Sequence, residues 1–342
     1  MYNKENGLGK DEHMKLGIVG TGLIVREALP LFKEIENMKC VALCGTSKSK
    51  AVVDELCGIY HIPYGVTDFE EMLKLNIDTV YIATPNYLHY NFCLSALNTG
   101  KNIIVEKPMT SNVTESEKLA ILAREKGVFL FEAITTQYLE NYQKIKKLLP
   151  LIGEVKLVQC NYSQYSSRYD AFREGNILPV FDPNKSGGAL MDLNLYHIHY
   201  VVGLFGEPFN VEYYANIEHG IDTSGVLVME YTTFQAVCIA AKDCAAPARI
   251  AIQGTKGYIL QNSPANSCGE IILHLNDGSE QTFDKNNGRH RMMAEFESFI
   301  NMINEGKINE CNKMLDHSLA VSKVQTMARQ KAGIYFPADD EI

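Results

Sequence analysis

Up to Ala133 the chain alternates repeatedly between short apolar, β-rich runs and helical patterns. That alternation restricts this stretch to a parallel, doubly wound α/β sheet. The run from Lys15 to Val19 passes through Gly20-Thr21-Gly22 into a helix beginning at Leu23-Ile24, which Pro30 should kink or end. Lys39–Cys44 is the second strand, Lys50–Tyr60 a helix, and Asp68–Leu75 a short helix capped by Asp68 or Thr67. Ile77–Ala83 is a further strand that stops at Thr84-Pro85-Asn86, a strong breaker. A helical pattern follows with Leu88, Phe92, Leu94, Ala96 and Leu97 on its apolar side, closed by Gly100. Asn102–Val105 then delivers Glu106-Lys107-Pro108 at its C-terminal end, where open α/β sheets place their ligands. Thr114–Lys126 is an amphipathic helix and Val128–Ala133 a strand.

The glycine turn and the strand ends carry the chemistry. Glycines at positions 20 and 22 let the backbone approach a pyrophosphate, which the amides of a helix start then hold. Val25 stands where the full fingerprint has a small residue. NAD-preferring folds place an acid at the end of the second strand, about 20 residues after the glycines. Here that place holds Gly45-Thr46-Ser47-Lys48-Ser49-Lys50, with no acid until Asp54. Hydroxyls and lysines suit a 2′-phosphate, so NADP is expected over NAD; the plainer reading is a polar start to the next helix. Glu106-Lys107-Pro108, taken alone, reads as a polar turn after a strand. Beside its neighbours it reads as a lysine aimed into a cleft, with Pro108 stiffening the turn.

A length of 342 residues suggests about two domains. A net charge of −9 argues against nucleic acid or an anionic membrane as the main partner. Lys48 and Lys50 are candidates for a small-anion site, whereas Lys144, Lys146 and Lys147 read as a solvated helix face. The nine cysteines form neither a Cys-x-x-Cys pair nor a Cys/His knot, so no metal site is expected and a reducing cytoplasm fits. Residues 1–13 read as a loose tail, or as sequence upstream of an alternative start at Met14. No apolar run approaches the length of a membrane span, and no signal core is present.

Gly20-Thr-Gly-Leu-Ile24, Ala83-Thr-Pro-Asn-Tyr-Leu-His89 and Gly100-Lys-Asn-Ile-Ile-Val-Glu106-Lys107-Pro108, in this order and spacing, resemble the glucose-fructose oxidoreductase / inositol dehydrogenase / MocA family. The resemblance runs from about Lys15 to about Phe336 and is strongest in the first 130 residues. It implies a Rossmann domain over 14–133, then a substrate-binding and oligomerisation α+β domain over 134–342 with a large open, mostly antiparallel sheet. It implies that Lys107 points at nicotinamide and substrate, and that Thr84, Pro85, Asn86 and His89 line the cofactor. The full set expected to bind the dinucleotide is Gly20, Thr21, Gly22, Leu23, Ile24, Ser47, Lys48, Thr84, Pro85, Asn86, His89, Glu106 and Lys107. Members similar to dihydrodiol and xylose dehydrogenases carry Glu-Ala-x-Trp-x-Arg after the sixth strand. Here Glu132-Ala-Ile-Thr135-Thr136-Gln137 lacks both Trp and Arg, which puts those substrates in doubt.

From Leu151 the texture changes. Residues 153–162 alternate like a strand of an antiparallel sheet, and residues 164–185 read as a loop forming a lid or substrate wall. Ser186-Gly187-Gly188 opens an apolar helix carrying Asp192, Asn194, Tyr196, His197 and His199. On a regular helix Asp192 and Tyr196, four apart, share a face, and His197 lies about 100° round from Tyr196. The run resembles the family's second motif, Gly-Gly-x-x-x-Asp-x-Gly-x-His/Tyr, with Tyr196 at the His/Tyr position. Asn194 replaces the usual Gly there, which would narrow the approach of nicotinamide or substrate. His197 and His199 read as hydrogen-bonded core or interface histidines. Asn210–Ile217, Gly225–Tyr231, Gln235–Ala241, Ala248–Gln253, Gly257–Gln261 and Ile271–Leu275 read as the large sheet, with helices Arg291–Glu305 and Met314–Arg329 closing the chain.

Hydride transfer also needs an acid/base for the oxygen's proton. Tyr196 is expected in that role, with Lys107 as its electrostatic partner and Asp192 orienting Lys107 or the substrate hydroxyl. The expected activity is therefore an NAD(P)-dependent dehydrogenase of a sugar, polyol or diol, assembling as a homodimer or homotetramer through the C-terminal sheet. Two alternatives stand beside it: a redox-neutral enzyme with tightly held NAD, such as a glycosidase or epimerase, and a non-catalytic dinucleotide or sugar sensor.

Overall fold

The structure, a computed structural model, describes residues 13–340. All but the last residue of the expected N-terminal tail lies outside the described residues. The chain divides into two compact units, Met1–Ala133 with Met292–Asp316, and Ile134–Arg291 with His317–Ile342. Residues Met292–Asp316, assigned by the sequence reading to the second domain, thus group with the first.

The first unit runs β1 (Met14–Val19), α1 (Leu23–Phe32), β2 (Met38–Cys44), α2 (Lys50–Tyr60), β3 (Tyr64–Val66), α3 (Phe69–Leu73), β4 (Thr79–Ile82), α4 (His89–Asn98), β5 (Asn102–Glu106), α5 (Val113–Lys126) and β6 (Leu130–Ala133). Its six strands lie in the order β3-β2-β1-β4-β5-β6 and every pairing is parallel. The order reverses between β1 and β4, so the crevice beyond their C-terminal ends is the ligand position of such a sheet. β4 and β6 are buried along their whole length, and β6 carries the buried Glu132 within its apolar run. Asp68 caps α3 by accepting from the Glu70 and Glu71 amides. Pro30 sits inside the last turn of α1, which ends two residues later at Phe32.

The second unit continues with α6 (Glu140–Leu148), β7 (Val155–Ser163), α7 (Tyr169–Arg173), α8 (Leu195–Phe205), β8 (Asn210–Glu218), β9 (Ile221–Glu230), β10 (Gln235–Ala241), β11 (Arg249–Gly254), β12 (Gly257–Gln261), β13 (Ile271–Leu275) and β14 (Glu280–Phe283). α9 (Met293–Asn304) and α10 (Ile308–Lys331) end the chain, and the division between units falls within α10. α9 belongs to the first unit because Phe296 packs edge-on against Phe32 (4.6 Å) and Tyr81 (5.3 Å), and Phe299 stacks on Phe131 at 4.6 Å.

The eight strands lie in the order β14-β13-β12-β11-β7-β10-β9-β8, antiparallel throughout except for β7 with β10. Cys160, Cys238, Leu227 and Tyr213 occupy one row of this ladder and are all buried in the core cluster that holds Tyr142, Ile198, Tyr200 and Val324. The alternate residues face the other way, and among them Tyr214 is 67% and Leu157 41% exposed. In the segment read as a loop over 164–185, Phe172 and Phe181 are fully buried and stack on each other at 4.7 Å.

Candidate functional site

The first unit supplies a nucleotide cradle. Gly20 has φ +118°, and a Cβ there would lie 2.3 Å from the Ala83 carbonyl oxygen, so only glycine allows the end of β1 to pass so close to the end of β4. Gly22 is the N-cap of α1; no side chain caps this helix start and its first turn holds no acid. A helix start of that kind presents amide hydrogens and a positive dipole end to an anion. Thr21 and Ile24 are half-buried, while Leu23 is exposed. Beyond β2, Ser47 and Lys48 are exposed in a short turn, Ser47–Ser49, whose entry is closed by the Thr46 amide donating to Ser49 Oγ at 2.9 Å. Asp54, the first acid after β2, is paired with Lys50 on the surface.

At the end of β4, Thr84 Oγ1 is buried and has no hydrogen-bond partner among the described residues. Pro85 is exposed and leads into a turn over Asn86–Leu88. His89, expected to line the cofactor, is instead fully buried. Its Nδ1 lies 2.8 Å from the Pro108 carbonyl oxygen and its Nε2 2.8 Å from that of Thr84. The ring lies between the two turns, a neutral imidazole donating to one of these carbonyls and an imidazolium to both, and neither nitrogen faces outward. Burial holds its pKa below the usual imidazole value, opposed by the two carbonyl contacts. Glu106 is likewise a brace, accepting from the Tyr81 hydroxyl at 2.6 Å in the interior. Lys107 is half-buried between them, ahead of a cis Pro108, and the next amide, Met109, is held by Glu132 Oε1 at 2.9 Å.

The second unit holds the other candidates. Gly187 and Gly188 are both sterically required: a Cβ on the first would strike the Pro179–Val180 backbone at 2.8 Å, and one on the second would strike Asp222 Oδ1 at 2.1 Å. Asp222 is buried and its Oδ2 accepts from the Leu190 amide at 2.6 Å and the Tyr213 hydroxyl at 2.7 Å. Burial raises its pKa to about 6, against the pull of those two donors.

Leu190–Asn194 is a π-helical turn, and only from Leu195 does the helix become regular. Such i→i+5 turns are rare and recur at functional sites. Asp192 and Tyr196 would share a face only on a regular helix, and the widened turn breaks that relation. Asp192 stands on the turn, partly exposed, and is ion-paired with Lys242. Tyr196 is 7% exposed, with its ring 6.5 Å from that of Tyr162. Lys107 belongs to the first unit, Asp192 and Tyr196 to the second.

Asn194 does not narrow any approach. It is fully buried, its amide donating to the Cys238 carbonyl at 3.1 Å and its oxygen lying 3.0 Å from His197 Nδ1. His197 is a neutral core histidine, its pKa pushed down to about 3 by burial. His199 is also buried and pairs with His317 at 3.0 Å. The residue that sequence reasoning missed is Lys242. The available signal was a lysine directly after the apolar run Gln235–Ala241, the same placement that drew attention to Lys107.

Residues 14–134 match the model of the oxidoreductase family with an NAD-binding Rossmann fold, and residues 142–260 match the GFO/IDH/MocA C-terminal domain. The chain is 34% identical over 330 residues to scyllo-inositol 2-dehydrogenase (NADP(+)) IolU of Bacillus subtilis (strain 168), covering 95% of this chain and 99% of that one. It is 29% identical over 280 residues to trans-1,2-dihydrobenzene-1,2-diol dehydrogenase of Xenopus laevis, covering 79% and 81%. In fold it is similar to a 3-ketoreductase from Actinomadura kijaniata solved with NADP and TDP-benzene, with TM-score 0.81, 18% identity, and coverage of 94% and 98%. The chain belongs to the GFO/IDH/MocA family of oxidoreductases.

Proposed function

We propose that this protein is an NADP-dependent dehydrogenase that moves a hydride between the nicotinamide and a CH–OH carbon of a polyol, sugar or diol. The observation carrying this reading is the edge between β1 and β4. There Gly20 closes to within a glycine's reach of Ala83, and a buried threonine hydroxyl is left for a ligand to satisfy. Gly20, Thr21 and Gly22 with the α1 amides hold the pyrophosphate, and Thr84 Oγ1, Pro85 and Asn86 border the remainder of the dinucleotide. Ser47 and Lys48 take the 2′-phosphate, since the acid that would repel it is missing from the end of β2. The relative IolU, named as scyllo-inositol 2-dehydrogenase (NADP(+)), agrees with that choice.

When bound, the nicotinamide supplies or accepts the hydride. Tyr196 moves the hydroxyl proton, Lys107 stabilises negative charge on the oxygen, and Asp192 accepts a hydrogen bond from the substrate and orients it. The test is absorbance of reduced nicotinamide with NADP or NAD against inositols, aldoses and vicinal diols. Lys107→Met should lower kcat by about 10²-fold or more while NADP affinity stays within a few-fold, and Tyr196→Phe should do the same. Full activity in either variant, or no absorbance change with any substrate in the panel, would remove the proposal.

A second copy of the chain is the partner, docked on the open face of the eight-stranded sheet that carries Leu157, Tyr214 and Ile239. All nine cysteines are free thiols, which suits a reducing cytoplasm. Among the described residues no helix is long and apolar enough to cross a membrane.

A further inference from the structure

We infer that Lys242 is the positioning residue of Asp192, holding that carboxylate ionised and aimed so that it serves as a hydrogen-bond acceptor for the substrate rather than as a proton donor. The inference rests on the reading of Asp192 as a substrate-facing group. Three observations carry it. The first is an asymmetry of exposure within the ion pair: 29% of the Asp192 side chain is accessible against 5% of that of Lys242. A ligand reaches the carboxylate, and the ammonium stands behind it.

The second is anchorage. The Lys242 amide donates to the Thr223 carbonyl at 2.8 Å and its carbonyl accepts from the Ser166 amide at 2.8 Å, so the side chain leaves the end of β10 from a point fixed on both sides. Its Nζ also lies 5.5 Å from the centre of the Phe181 ring, whose face favours a cation. The third is where the carboxylate sits. Asp192 is on the π turn, whose widened backbone sets its direction, and Lys242 supplies the tie from the neighbouring strand.

Energetics separates this arrangement from a surface ion pair. An exposed pair contributes little, and burying an ammonium is costly unless an opposite charge offsets it. A carboxylate held this way only accepts hydrogen bonds. The substrate must then present a hydroxyl proton to Asp192, and the proton in flight falls to Tyr196. The ionisable groups beside Lys242 are Asp222 on β9, whose charged form Lys242 favours and which accepts from Tyr213 on β8, and its chain neighbour Asp243. Asp243 accepts from the Thr223 and Ser224 hydroxyls through Oδ2 at 2.8 and 2.7 Å, and Asp222 accepts from the Leu190 amide and the Tyr213 hydroxyl.

The experiment is a pH titration of side-chain carboxyl carbons by 13C NMR on aspartate-labelled protein without cofactor or substrate, the Asp192 signal being assigned by its loss in D192N. In the wild type that signal should titrate below the ordinary aspartate value of about 3.9. In K242M its midpoint should rise by about one to three pH units, and K242R should restore the wild-type value. K242Q keeps a donor but no charge, and should behave as K242M even where K242M folds poorly. The acid limb of kcat/KM should move with the NMR midpoint; a purely structural lysine would lower the rate without moving that limb. A wild-type midpoint at or above about 3.9, or an unchanged midpoint in K242Q or K242M, overturns the inference. Because the titration needs no substrate, its outcome is independent of whether any polyol is turned over.

Discussion

Asn194 is the residue at which a motif and a structure part company. Beside the family's glycine it reads as an obstruction in the site, but its amide is used entirely inward. Because the Cys238 carbonyl can only accept, the NH2 group must face it, and the oxygen must face His197. That fixes the proton on His197 Nδ1, where a neutral ring donates to the amide oxygen. Replacing Asn194 with Ala leaves a buried carbonyl and a buried N–H short of a partner, at a cost of about 2–4 kcal/mol in urea unfolding. NADP affinity should stay as it is. Unchanged stability with tighter cofactor binding would mean that the side chain faces the ligand after all. A sequence gives residue type and spacing, but which side of a helix a residue takes depends on a backbone phase that one widened turn alters. His89 misled for a related reason. Its place beside Thr84-Pro85-Asn86 is legible, whereas the Pro108 carbonyl that occupies its second nitrogen lies 19 residues away.

At the scale of elements, regular periodicity was readable and irregular or non-local features were not. Lys50–Tyr60, Gln235–Ala241, Gly257–Gln261 and Ile271–Leu275 have the limits their patterns announce. β3 and β14 escaped because they are three- and four-residue edge strands without a buried residue to mark an alternation. α9 was legible as amphipathic, but nothing local says that Phe296 and Phe299 pack on aromatics more than 160 residues earlier. The π turn is the element with most consequence, and Asp222 is what holds its start. Asp222→Ala would strand the Leu190 amide and the Tyr213 hydroxyl and should cost about 2–4 kcal/mol, whereas Asp222→Asn keeps an accepting oxygen and should cost less. In Asp222→Ala, amides of residues 189–196 should exchange with solvent faster relative to those of β9 and β10, and kcat should fall more than KM changes. Uniform acceleration across the sheet would instead make Asp222 a general core group with no special tie to that turn.

Across the whole molecule, buried histidines set the response to acid. His89, His197 and His317 all have pKa values held below the usual 6.5, with burial the leading cause in each. Such a group binds fewer protons folded than unfolded once the pH drops under 6.5, so its stability contribution is complete above that value and is lost on acidification. For His197 the window extends from 6.5 down to about 3. Within its window each histidine removes up to about 1.4 kcal/mol per pH unit. Asp222 works the other way: raised from 3.8 to about 6, it holds a proton in the folded state across that interval and favours folding as the pH falls. Burial also raises the Asp78 carboxyl, which likewise favours folding on acidification; three histidines outweigh two carboxyls, so calorimetric Tm should fall steadily from pH 7 to pH 5. Removing the opposing carboxyl in Asp222→Asn should steepen that fall, and His317→Gln should flatten it. A Tm that holds level or climbs between pH 7 and 5 in the wild type would mean that these rings are protonated in the folded protein. For His89 that result has a structural meaning of its own, since only an imidazolium can donate to the Thr84 and Pro108 carbonyls at once.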